Sequence, residues 1–220
     1  MKIGISNLKG GVGKTTISQN LAVCLAHMGY KVCIVDTDRN QNSMAWNGAR
    51  DEELPQILVV GATESSAINK TVDQLHNDND IVIIDGTPSL SEITTRVILA
   101  SDLLIIPILP SAHDVRAMQQ FFERYEQAQE FRAEIPAYFF INRFSPQIRI
   151  HNSIRELLPV QFELPMMESS FRERVAYIET AVEGKGVFEH GDPKAKAEVV
   201  AFTKEIMALA QKHKLLEVSV

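Results

Sequence analysis

The stretch Gly10-Gly11-Val12-Gly13-Lys14-Thr15-Thr16 limits what this chain can be more than anything else in it. It follows Lys2 to Ser6, a short apolar segment that reads as a strand. It opens onto Thr15 to Met28, where Leu21, Leu25 and Met28 share one helical face. Strand, glycine loop and helix in that order make a cradle for phosphate. The glycines let the loop turn its backbone N–H groups inward. The helix start adds its positive end, and Lys14 brings an ammonium to the terminal phosphates. Thr15 places a hydroxyl where Mg²⁺ bridges such phosphates. Lys9 stands just before the glycines, and a second lysine beside the cradle is costly unless an anion neutralises it.

The remaining chain supplies a frame for that loop. Val32 to Val35, Ile57 to Val60, Ile81 to Ile84, Leu103 to Ile106 and Tyr138 to Ile141 are short apolar runs. Helical segments at Ser66 to Leu75, Ser91 to Leu99, Asp114 to Gln129 and His151 to Leu157 separate them. Apolar strands alternating with helices predict an α/β fold, with a mostly parallel sheet covered on both faces. After Pro165 a helix is expected from Phe171 to Ala181, broken at Gly184 and Gly186. A last helix follows from Pro193 to Lys212, capped by Asp192. No repeat or linker divides the 220 residues, so they read as a single domain.

Composition narrows the class further. Hydrophobic residues at 45% can fill a sizeable core, and no apolar run has membrane-spanning length. Met1-Lys2 leads straight into a strand, which leaves no secretory signal. Cys24 and Cys33 sit among apolar neighbours as buried, reduced thiols, pointing to a cytoplasmic protein. A net charge of −6 argues against a generally basic nucleic-acid coat but leaves room for a local basic patch.

Acidic residues leave two of the strands, at the end where open α/β sheets gather ligands. Asp85 closes a four-residue apolar run, the context of a carboxylate that holds Mg²⁺ through water. Of Asp36 and Asp38, one orients the loop while the other positions Mg²⁺ or the attacking water. Asp38 is assigned that second role. His27, His113 and His151 lack metal-ligand spacing.

With these residues in place the sequence resembles the ParA/MinD family of deviant Walker ATPases, and within it the small ParF-type plasmid-partition proteins. Lys9 to Thr16 matches the family's phosphate loop residue by residue. Val35-Asp36-Thr37-Asp38 matches its second motif and Ile83-Ile84-Asp85-Gly86 its acidic strand end. The resemblance implies a three-layer P-loop NTPase fold with no N-terminal DNA-recognition domain. It implies ATP and Mg²⁺ as cofactors, with Lys9, Gly10, Gly11, Val12, Gly13, Lys14, Thr15 and Thr16 around the phosphates. Thr15, Asp38 and Asp85 are then the metal residues, and Lys9, Lys14 and Asp38 the catalytic ones. Lys9 is implied to reach across a nucleotide-sandwich homodimer to the partner's phosphates. Ile141-Asn142-Arg143 resembles the base-binding segment, with Asn142 against adenine. Pro165 through Gly184, beginning with Pro165 and Met166, looks like the loop and helix that close over the base.

The resemblance also implies a role: ATP-dependent binding to nonspecific DNA on the nucleoid, with hydrolysis stimulated by a cargo adaptor of the ParB or ParG kind. Arg149, Arg155, Arg172, Arg174, Lys185, Lys194 and Lys196, then Lys212 and Lys214, are the basic residues available for DNA. Two alternatives stand beside it. One is a MinD-like membrane-positioning ATPase using the amphipathic stretch Ala208 to Glu217. The other is a noncatalytic, nucleotide-gated scaffold. Cys24 and Cys33 lie in core elements, which speaks against a nitrogenase-type cluster. One departure is visible: the family often continues Asp38 with Pro-Gln, whereas Arg39-Asn40 stand here. That substitution bears on the switch geometry more than on ATP binding.

Overall fold

A computed structural model describes residues 1–132 and 135–216, apart from the side chains of residues 116 and 117. Six strands form one sheet: β1 (Lys2–Ile5), β2 (Val32–Asp36), β3 (Leu58–Gly61), β4 (Ile81–Asp85), β5 (Leu103–Ile108) and β6 (Ala137–Ile141). Their order is β3-β2-β4-β1-β5-β6, and every neighbouring pair is parallel. The chain leaves β1 toward one edge of the sheet and later returns to build the other. The loop after β1 therefore sits at the point where the strand order reverses, the place where such sheets bind ligands.

Side-chain alternation explains why both faces must be covered. Ile3, Ile5, Ile34, Ile83 and Ile105 join one cluster with α1 (Lys14–His27) and α8 (Pro193–Lys212). Cys33, Val35, Val82 and Ile84 point the opposite way, toward α3 (Ser65–Asp78) and α4 (Glu92–Ala100). On that second face Leu104, Ile106 and Phe139 meet α5 (Ala112–Phe131) and α6 (Arg149–Phe162). Each fully buried aliphatic side chain is worth roughly 1.5–3 kcal/mol, so neither face tolerates exposure. Ser111 caps α5 and Asp192 caps α8 by accepting N–H groups of their first turns.

Three elements differ from the sequence expectation. A short helix, α2 (Asn42–Gly48), follows β2 where no helix was expected. Its local signal is weak, with only Ser43 and Trp46 buried and no side-chain cap of its own. Helix α6 runs on through Pro159 to Phe162, because buried Leu158 and Phe162 hold its last turn on the core. The expected helix at Phe171 begins only at Ala176 as α7 (Ala176–Val182). Ahead of it Phe171 gives its carbonyl to the Phe144 N–H and buries its ring against Phe140 and Phe202. That is an irregular strap pinned to the core.

At the C-terminal end, α8 stops at Lys212, and Leu209, Leu215 and Leu216 pack against the core cluster with α1. Glu217, the last residue of the stretch suggested for a membrane, lies outside the described residues. Among the described residues no helix is long and apolar enough to cross a membrane.

Candidate nucleotide site

The loop between β1 and α1 is shaped by residues on both sides of it. Asn7 is buried, donates its amide to the Pro107 carbonyl at 2.7 Å, and accepts the Lys9 N–H at 3.0 Å. This fixes where the chain leaves β1. Gly13 has φ +96°, a conformation favouring glycine, and a Cβ there would run into the Asn142 amide. The Asn142 amide in turn donates to the Val12 carbonyl at 2.8 Å. Asn142 thus sets the back of the phosphate loop, and its carbonyl oxygen accepts the Arg143 N–H at 2.9 Å.

Lys14 and Lys9 have opposite surroundings. The Lys14 side chain folds back under the loop and donates to the Lys9 carbonyl at 2.9 Å. Burial pushes its ammonium down to about 8, a loss partly offset by the charges of Asp85 and Asp38. Lys9 turns away instead and pairs with Asp114 at 2.6 Å, at the start of α5. Asp114 is buried and also takes the Ser111 hydroxyl, while its second oxygen has no described partner. Sequence gave no sign of this contact, since Asp114 lies far along the chain.

The acids form a compact group beneath the loop. Asp36 and Asp85 are register partners on β2 and β4, so their side chains emerge together. Asp85 is fully buried, and burial, reinforced by the charge of Asp36, raises its carboxyl to about 7. Hydroxyls restrain that rise: Ser18 donates at 3.2 Å, Ser43 at 2.9 Å, and Thr15 adds a third. Burial raises Asp36 too, against backbone N–H groups from Asp38, Ser43 and Met44. Asp38 lies two residues past Asp36, half-buried, and accepts the Asn40 N–H at 2.9 Å. Arg39 and Asn40 are exposed there, and Gln41 takes φ +50° to turn the chain into α2.

The donor set suits Mg²⁺. Thr15 and Asp85 bring hard oxygens together beside the phosphate loop, the charge of Asp38 acts on Lys14, and Mg²⁺ in such sites takes one or two protein oxygens with the rest from phosphate and water. No cluster of three or more His, Cys, Asp or Glu that could hold a metal occurs among the described residues. Cys24 and Cys33 are both buried and free.

Beside the loop a small cleft is lined by Gly13, Thr16, Asn142, Arg143, Arg172, Glu173, Arg174, Tyr177 and Ile178. It joins the expected Asn142 and Arg143 to Arg172 through Ile178, inside the Pro165 to Gly184 segment expected to close over the base. Pro165 and Met166 do not line it. The Pro165 carbonyl and the Met167 N–H bond to Phe139, and Met166 bridges to that same β6 residue. Edge pairing along the middle of β6 holds both residues away from the loop. The run Arg172-Glu173-Arg174, followed three residues later by Tyr177, lies within the Pro165 to Gly184 segment expected to close over the base.

The model of the CobQ/CobB/MinD/ParA nucleotide-binding domain matches residues 3–187 of this chain. The chain belongs to that family. The match begins in β1 and ends in the turn after α7, so it takes in the loop, the acids and the cleft. Among curated relatives, the maintenance of carboxysome distribution protein A of Halothiobacillus neapolitanus is 29% identical over 190 residues, covering 86% of this chain and 87% of its own. Protein ParA of Rhizobium radiobacter is 30% identical over 177 residues, covering 79% and 78%. The MinD cell division protein of Aquifex aeolicus superposes with a TM-score of 0.79 over 94% of this chain and 97% of its own, at 17% identity. At that identity the likeness speaks for the fold, here a ParA/MinD-type domain with a parallel sheet.

Proposed function

We propose that this chain is a Mg²⁺- and ATP-dependent dimerising ATPase that partitions or positions DNA or another intracellular cargo. The observation that carries the reading is the buried Lys14 ammonium, held on a main-chain carbonyl beneath a glycine loop with its pKa depressed to about 8. A buried ammonium with no tight counter-ion suits a polyanion that arrives and leaves. Bound Mg²⁺ would supply charge neutralisation across the terminal phosphates. Thr15 and Asp85 would hold it, Lys14 would steady the γ-phosphate, and Asp38 would orient water for attack.

A second copy has a surface to use. Val175, Ile178 and Val182 are 66%, 69% and 76% exposed and lie on one stripe of α7, beside the base cleft. A stripe of this kind supports closure of two chains over nucleotide, as does a Lys9 reaching out to a partner's phosphates. Lys9 must then exchange Asp114 for phosphate, which ties assembly to breaking one ion pair.

ATP-dependent, nonspecific DNA binding is the third part of the reading. Several basic candidates are already engaged: Arg174 pairs with Glu198, Arg155 donates to the Met167 and Glu168 carbonyls, and Lys185 pairs with Glu183. Among the described residues Arg149 and Lys194 form no ion pair, and they carry the proposed phosphate contacts. The carboxysome-distribution and ParA relatives favour a positioning role. The packing of Leu209, Leu215 and Leu216 on the core removes the apolar face that a membrane-binding helix needs. A nucleotide-gated scaffold differs in one outcome, the release of phosphate.

The test measures phosphate release and sedimentation of the purified chain with ATP and Mg²⁺, with and without nonspecific duplex DNA. ATP-dependent dimers that bind DNA and lose it steeply with salt are expected. DNA binding that ignores ATP would overturn the positioning mechanism, and dimers without hydrolysis, even with DNA and the cargo adaptor, would leave the scaffold.

A further inference from the structure

Helix α2 spans the gap between the buried acids and the segment behind α7, and it is fastened at both ends. At its start the Ser43 N–H donates to Asp36 at 2.8 Å and the Ser43 hydroxyl donates to Asp85 at 2.9 Å. Ser43 thereby touches both carboxylates beneath the phosphate loop. Asp36 also takes the Met44 N–H, so a strand-end acid replaces the local cap that α2 lacks.

The far end is held as tightly. The Trp46 indole donates to the Lys185 carbonyl at 3.0 Å. Arg50 donates to the Gly184 carbonyl at 3.0 Å and to both oxygens of Glu189, at 3.0 and 2.7 Å, with each partner's side chain almost fully buried. Gly184 has φ +66° and lies so close to the end of α2 that a Cβ would stand 2.7 Å from the Ala49 oxygen. These contacts explain the glycine at 184 and the lone tryptophan, neither of which the nucleotide site itself uses.

We propose that α2 is a strut that links occupancy of the metal site to the Gly184–Glu189 segment, with Ser43 as the positioning residue at its metal end. The inference rests on the Mg²⁺-ATP reading of the site. Asp85 has two oxygens, one shared with Ser18 and the other with Ser43. A cation held by Asp85 and the Ser43 hydroxyl draw on the same carboxylate, so each changes the affinity of the other. The strut carries that change to the segment following α7, whose first turn lines the base cleft.

Trp46 is the only tryptophan and sits one turn along α2 from Ser43, so its emission reports on the strut. The experiment titrates Mg²⁺ into protein with saturating ATP, reads Trp46 emission, and follows nucleotide binding separately by calorimetry. In wild type the emission shifts as Mg²⁺ binds. Ser43→Ala lowers the Mg²⁺ midpoint about fivefold, the low end of ordinary site-to-site coupling, and loses at least half of the Trp46 response. Ser43→Thr, which keeps the hydroxyl, restores both. Gly184→Ala loosens the far end, so the Trp46 response is lost and the Mg²⁺ midpoint moves less than in Ser43→Ala. Mg²⁺-dependent ATP binding with a silent Trp46, or an unchanged midpoint in Ser43→Ala, overturns the strut and leaves the nucleotide reading intact. No Mg²⁺-dependent nucleotide binding by wild type overturns both.

Discussion

In the proposed nucleotide site the phosphate end is made by one continuous stretch of chain, Lys9 to Ser18, set over two strand-end acids; the base end is assembled from parts far apart in sequence. Asn142 and Arg143 come from the end of β6, and Arg172 to Ile178 from a strap after α6. The phosphate end is held by hydrogen bonds, with Lys14, Asp36 and Asp85 all shielded from water while Gly10 and Gly11 face solvent. The base end is open: Arg172 and Glu173 are exposed and Ile178 projects outward. A rigid, polar cradle can discriminate strongly, since each unpaired buried group there is costly. An open rim contributes contact area and can move with a partner. Affinity for nucleotide should therefore reside mostly at the phosphate end, and coupling to assembly at the rim.

The strongest way to break that contrast is Lys14→Ala. Removing a buried cation aimed at phosphate is expected to weaken Mg²⁺-ATP binding by about 100-fold or more, measured by calorimetry. A loss below tenfold would mean that the loop does not carry the binding. Asp38→Ala separates chemistry from affinity within the same end. ATP binding should hold within roughly threefold while phosphate release falls by about 100-fold, the lower range for losing a group that positions a reacting proton or water. Equal losses in both would make Asp38 a binding residue only.

Asp114→Asn tests the joint between the two ends. It removes the charge that holds Lys9 but keeps a side chain of the same shape at the start of α5. Lys9 is then free to reach a second copy, and the protein concentration for half-dimerisation with ATP should fall on the order of fivefold. Analytical sedimentation reads this directly. Unchanged or weakened assembly would show that the ion pair positions Lys9 for its task instead of restraining it.

These variants also mark how much could be read from sequence. The strands were visible because apolar runs of four to six residues need cover on both faces, and the loop because its chemistry is local. Helix α2 escaped because its capping acid is Asp36, on the strand before it, and its anchors Gly184 and Glu189 come late in the chain. The Lys9–Asp114 pair was illegible for the same reason. Pro159 suggested an end to α6 that packing of Phe162 overrides. For the base the resemblance gave Asn142, Arg143 and the segment from Pro165 to Gly184 but not which of that segment's residues face the loop. Pro165 and Met166 lie against Phe139, while Arg172 and Tyr177 line the cleft beside Gly13.

A smaller effect follows from the buried acid. Asp85 is raised from 3.8 to about 7, so the folded protein keeps a proton that the unfolded chain has already lost. Its contribution to stability is therefore greatest below pH 4 and declines as pH climbs toward 7. Lys14, lowered from 10.5 to about 8, works in the other sense, with stability recovering between pH 8 and 10.5. The nucleotide-free protein should melt at progressively lower temperature from pH 5 to 7, and Asp85→Asn should flatten that slope. A slope that survives in Asp85→Asn would assign it to Asp36, whose carboxyl is shifted the same way.

The least effect is expected at the rim. Arg172 lines the base cleft, is about half exposed, and approaches Glu198 at only 4.0 Å, so its ion pair contributes little. Arg172→Ala should reduce ATP affinity by no more than about fivefold, against 100-fold for Lys14→Ala under the same conditions. Its mark should appear instead in assembly, because Arg172 neighbours the exposed Val175 and Ile178 beside the cleft. A sedimentation shift larger than the affinity loss would place Arg172 on the surface that the second copy covers. An affinity loss approaching that of Lys14→Ala would erase the contrast, and the base end would rank with the phosphate cradle in holding nucleotide.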